Sequence, residues 1–121
     1  MTTAEFYAQI GGNYDEAKMR LMNDALIQRF LGKFAATYTL DALSDAAKCH
    51  DGRAIFEACH AIKGVVGNLA LTKLFNLTND LTEKTRNLEE GASFNADAEL
   101  VAIQAEFDKT IALIKEFLAQ Q

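Results

Sequence analysis

Residues 54–71 read AIFEACHAIKGVVGNLAL, and the spacing of their apolar side chains decides the fold. An α-helix advances about 100° per residue, and on that wheel Ile55, Cys59, Ile62, Val66 and Leu69 fall within about 80° of one another. That stripe is a core face. His60 lies roughly 140° from Ile55, with Arg53, Gly64 and Gly67 on the same outward side. Each glycine inside a helix costs about 1 kcal/mol relative to alanine. Two of them beside one histidine, in a chain that uses alanine freely, point to clearance around the imidazole. Asp51 is a good N-cap, so the helix is expected to begin at Gly52 and run to about Leu69.

Similar stripes lie on either side. Towards the C-terminus, residues 72–90 carry Leu74, Leu77, Leu81 and Leu88, Gly91-Ala92-Ser93 reads as a loop, and residues 97–119 place Leu100, Phe107, Ile111, Ile114 and Leu118 on one face. Towards the N-terminus, residues 40–48 form a short helix ending near Cys49 and His50. Before it, residues 22–38 align Leu26, Ile27, Phe30, Leu31 and Phe34. A first apolar segment, Phe6, Tyr7 and Ile10, is closed by Gly11-Gly12-Asn13. Four helices longer than 15 residues, each with one apolar stripe and joined by short loops, predict an all-α antiparallel four-helix bundle. The bundle is expected over about residues 20–120 of one domain spanning residues 1–121. A short N-terminal helix within residues 4–18 and a short connecting helix complete it.

Composition agrees. Half of the 121 residues are hydrophobic, 24% are charged, proline is absent, and 20 alanines and 14 leucines stand against 3 valines, which favours helix over sheet. A net charge of −5 argues against nucleic-acid binding. No window approaches the ~18 uninterrupted apolar residues of a membrane span. Residues 1–5 carry neither the basic nor the apolar region of a signal peptide, so a cytoplasmic protein is expected; a monomer is expected as well. Two cysteines, Cys49 and Cys59, are too few for a disulfide framework and read as a reduced pair.

The outward face of residues 52–69 carries the chemistry. Lys63 follows His60 by one turn and can neutralise an anion held on the imidazole. On the next helix, Phe75, Asn79, Thr82 and Arg86 form a stripe expected to line a groove beside His60, and Phe56 or Phe75 offers an exposed aromatic edge. An imidazole is nucleophilic near neutral pH because its ordinary pKa is about 6.5. Phosphoryl transfer asks for in-line approach and charge stabilisation rather than a deep pocket, so an uncluttered histidine on a convex surface suits a phosphoryl carrier.

His60-Ala61-Ile62-Lys63-Gly64 resembles the signature of histidine-containing phosphotransfer (HPt) domains: histidine, any residue, leucine or isoleucine, lysine, glycine. The similarity extends from about residue 20 to residue 90. The resemblance implies that His60 accepts a phosphoryl group from a receiver-domain aspartate and passes it to another. It implies Lys63 as electrostatic support and Gly64 as access; Phe56, Gly67, Phe75, Asn79 and Thr82, on the faces around His60, are the expected partner contacts. The partners would be receiver domains of response regulators or hybrid sensor kinases, which supply the magnesium; the chain would be no enzyme and hold no cofactor of its own. Val66, Ala70 and Thr82 depart from the family pattern. The position of Thr82 is often Glu or Gln, hydrogen-bonded to the imidazole, so Thr82 or Asn79 is the candidate for that role.

Plainer readings compete. Lys63 can be a flank residue whose stem covers apolar surface, Gly67 a backbone packing site, and Phe75 a boundary core residue. An interaction module that docks a receiver or kinase without carrying phosphate is the alternative function. Cys49-His50 and Cys59-His60 suggest a metal, but adjacent helical residues diverge by about 100°, and no metal site is expected.

Overall fold

Side-chain caps set where four of the helices begin. The computed structural model describes residues 1–121 as seven α-helices with no strand. α1 (Thr3–Ile10) opens on Thr2 in a reciprocal capping box with Glu5, and Gly11 closes it in the left-handed conformation at φ 70°. Asn13 caps α2 (Tyr14–Leu21), Asn23 caps α3 (Asp24–Thr37), and Asp51 caps α5 (Gly52–Asn68). Each oxygen accepts from an otherwise orphaned amide of the first turn. α4 (Asp41–Lys48), α6 (Thr72–Thr85) and α7 (Asp97–Ala119) start without a side-chain cap.

Three expectations need correction. The helix foreseen over residues 22–38 starts at Asp24, because Met22 (φ 77°) ends the preceding helix and Asn23 caps a new one; the N-terminal extension therefore holds two helices. The helix foreseen over residues 72–90 stops at Thr85. Beyond it, the chain turns to pair with the start of α5. The Gly52 amide donates to the Ala92 carbonyl (3.0 Å), and the Phe94 amide donates to the His50 carbonyl (2.9 Å). Consequently α5 and α7, at 17 and 23 residues, exceed 15, while α3 and α6 have 14 each. Phe30, assigned to the core stripe, is 43% exposed. It lines an open groove of about 480 Å³ between α3 and α5, with Leu21, Phe34, Val65 and Leu69.

One contiguous core of 25 buried residues joins the helices. α5 and α6 share the most extensive interface, α7 packs on α3 and α6, and α4 packs on α5 and α7. The α5–α6 pair is antiparallel, since Thr82 meets Cys59 at one level and Phe75 meets Gly67 at another. α1 is fixed to the body by the stacked rings of Phe6 and Phe117, 4.9 Å apart, and by the Tyr7 hydroxyl, which donates to the Leu69 carbonyl at 2.8 Å. No helix is long and apolar enough to cross a membrane.

Candidate functional site

The start of α5 is clamped. Asp51 Oδ1 accepts from the amides of Arg53 (3.1 Å) and Ala54 (3.2 Å). A Cβ on buried Gly52 would come within 2.8 Å of Leu88 and 2.9 Å of the Ala92 carbonyl, so only glycine fits there. From this anchor the helix rotates Ile55, Cys59, Ile62 and Val66 into the core and leaves His60 exposed.

His60 stacks on Phe56 one turn earlier, with ring centroids 5.5 Å apart and planes at 27°. Its imidazole makes no hydrogen bond within the protein. Lys63, half-buried one turn later, has no carboxylate within 4 Å. A Cβ at Gly64 would touch nothing within 4 Å, so the surface beside His60 is open there. At Gly67 it would stand 3.2–3.3 Å from the Phe75 ring. Gly67 therefore serves helix–helix packing, and half-buried Phe75 covers it while leaning on the core.

Of the stripe expected on α6, Phe75 and Arg86 do face α5, at Gly67 and at Phe56, but Thr82 does not reach the surface. Thr82 is fully buried; its hydroxyl gives its single proton to the Thr78 carbonyl at 2.7 Å and lies 3.2 Å from Cys59 Sγ. It neither lines the groove nor reaches the imidazole, which removes it from the partner surface and from the orienting role. Half-buried Asn79 makes no hydrogen bond to the imidazole either. Buried threonine is tolerated because Thr78, Thr82 and Thr85 each donate to the carbonyl four residues back, satisfying their hydroxyls inside α6.

Glu83 in the last turn of α6 and Arg86 at its C-cap bring a charged pair to Phe56. Glu83 holds the Arg86 guanidinium at 2.9 Å, and that guanidinium lies 5.4 Å from the centre of the Phe56 ring. The hydrogen bond from Arg86 keeps the Glu83 carboxyl below its usual pKa, with Lys63 adding to the effect, and Glu83 in turn raises Arg86. Arg53 lies 5.9 Å from the same ring and bridges to Glu57 at 3.3 Å. The Glu-x-x-Arg spacing was readable as a helical pair, but not its meeting with Phe56. Beneath the site, burial raises the Cys59 thiol, and the neighbouring Thr82 and Thr85 hydroxyls offset this in part, so the thiol stays neutral.

The arrangement is an exposed imidazole with no hydrogen-bonding partner, one turn from the Lys63 ammonium and stacked on a ring approached by two guanidinium groups, each paired with a carboxylate. It can bind an anion or receive an electrophile delivered by another molecule. His50 lies outside it, in the left-handed turn before α5 (φ 52°), and no three His, Cys, Asp or Glu side chains gather to hold a metal ion. No protein-family model matches the chain, and neither a curated protein nor a solved structure is similar to it at a significant level.

Proposed function

We propose that the chain is a phosphoryl carrier of the HPt type, with His60 as the acceptor. In this reading α3, α5, α6 and α7 are the antiparallel four-helix bundle, α1 and α2 its N-terminal extension, and α4 the connecting helix. An unprotonated ring nitrogen of His60 attacks the phosphorus of a receiver's aspartyl phosphate in line. The N–P bond forms as the P–O bond to the aspartyl carboxylate breaks, and the carboxylate leaves. Transfer to a second receiver reverses these bonds. The receiver contributes the metal that shields the phosphoryl oxygens, while Lys63 adds a positive charge one turn from the imidazole and the open surface at Gly64 lets the two proteins approach.

One observation carries the reading: His60 is exposed at mid-helix, one turn before a half-buried lysine and an unobstructed glycine. Incubation with a phosphorylated receiver domain should move the label to the chain, and His60→Gln should abolish it. Unchanged labelling of the variant sinks the assignment. A second reading draws on the inward turn of Thr82, which leaves the imidazole without a hydrogen-bonding partner: the same face docks a receiver or kinase without taking phosphate. Retained binding by His60→Gln, with no phosphohistidine in the natural protein, would select it.

A further inference from the structure

We infer that Phe56 is the positioning residue for His60, in place of a hydrogen-bonding partner. The inference rests on the phosphoryl-carrier reading for its consequence, but its geometry stands apart from it. An exposed imidazole on a helix has two free side-chain torsions, and in-line transfer needs one ring nitrogen held towards the incoming phosphorus. Thr82 and Asn79 leave it free. The contact that remains is the Phe56 ring, 5.5 Å away and inclined by 27°, an offset stack that restricts rotation of the imidazole while leaving its nitrogens open to a partner.

Phe56 is itself held. It is half-buried and leans on two guanidinium groups, Arg86 at 5.4 Å and Arg53 at 5.9 Å. Each is fixed by a carboxylate, Glu83 at 2.9 Å and Glu57 at 3.3 Å. An Arg–aromatic contact is attractive because the ring face is negative. The platform thus joins α5 to the C-terminal end of α6 through the Phe56 ring. Phe56 therefore acts through His60 and does not touch the phosphoryl group.

Two readouts on the intact chain test this. In the unphosphorylated protein, the His60 ring C–H resonances should move in Phe56→Leu towards their unstacked positions, and Phe56→Tyr should restore them. With phosphoramidate, a small donor that needs no docking surface, Phe56→Leu should slow phosphorylation of His60 by about threefold to tenfold. Phe56→Tyr should again recover the rate, with helix content by circular dichroism equal in all three proteins. Coincident His60 resonances in Phe56→Leu and the natural protein would overturn the stack. A resonance shift with an unchanged rate would overturn the positioning role. A natural protein that takes no phosphoryl group from any donor overturns the carrier reading, and the positioning role with it, whereas the resonance shift still reports the stack.

Discussion

Cys59 and His60 are neighbours in the chain and occupy opposite settings. Cys59 is fully buried, its Sγ meeting the Thr82 hydroxyl at 3.2 Å; His60 is exposed and its imidazole makes no hydrogen bond. The difference recurs one and two turns on, where a Cβ at Gly64 would meet nothing and one at Gly67 would press on Phe75. On the inward side, hydroxyls such as Thr82 and Tyr7 find a partner, as burial demands. On the outward side, the imidazole and the Lys63 ammonium stand without one. A rotation of about 100° per residue is enough to separate what holds the fold from what is free to react.

The largest effect should come from breaking the inward side. Ile55 is fully buried, and Ile55→Ala should lower the unfolding free energy by about 2–5 kcal/mol through lost burial and the cavity left behind. His60→Gln, which removes the proposed chemistry, should change it by no more than about 0.5 kcal/mol. Urea denaturation of both variants checks this, and equal losses would mean that His60 is part of the core after all.

Next is Tyr7, the hydroxyl that ties α1 to the end of α5. Tyr7→Phe removes the 2.8 Å bond to the Leu69 carbonyl and should cost about 1–2 kcal/mol near neutral pH. Burial holds the Tyr7 pKa above its ordinary value of 10.0. The unfolded chain therefore releases this proton before the folded one does. The stabilisation is complete below about pH 10 and declines as pH rises above it. Denaturation midpoints between pH 9 and 11 should fall more steeply in the natural protein than in Tyr7→Phe. Parallel slopes would show that another group sets the alkaline limb.

How far this division could be read in the sequence depends on the range of the forces involved. The expected spans 52–69 and 97–119 nearly coincide with α5 and α7, because an aspartate cap and a continuous apolar stripe act within a few residues. His60, Lys63 and Gly64 share one helix, so their common face was legible from spacing alone. The end of α6 was not, since it is fixed by backbone bonds from residues 92 and 94 to residues 52 and 50. Nor was the burial of Thr82. Leu74 and Leu81 lie in the core as their spacing suggested, but Thr78, Thr82 and Thr85 join them there, because each hides its hydroxyl on a carbonyl of its own helix. The boundary at Asn23 was local and available, but the apolar stripe of residues 22–38 hid it.

The two glycines sharpen the comparison at smaller amplitude. Alanine is favoured over glycine inside a helix by about 1 kcal/mol, and Gly64 sits in open space, so Gly64→Ala should stabilise by up to that amount. Gly67→Ala gains the same propensity but must displace the Phe75 ring from 3.2–3.3 Å, so it should be neutral or destabilising. Thermal unfolding ranks them. The same Gly64→Ala protein, well folded, shows whether clearance matters: slower transfer from a receiver with an unchanged rate from phosphoramidate would locate the role of Gly64 in docking.

The smallest effect is expected at Thr82, where the family resemblance pointed to the chemistry and the packing points elsewhere. Valine keeps the branched shape and fills the same fully buried space. What Thr82→Val loses is a hydroxyl that has one proton to share between the Thr78 carbonyl, already available to the helix ladder, and a sulfur, which is a weak acceptor. No buried carbonyl is orphaned, so the stability change should stay below about 1 kcal/mol. Because the hydroxyl faces Cys59 and not His60, phosphorylation by phosphoramidate should proceed at the natural rate. A loss of rate at constant stability would show that Thr82 reaches the imidazole by turning outward, and that inward and outward sides exchange at this level of α6.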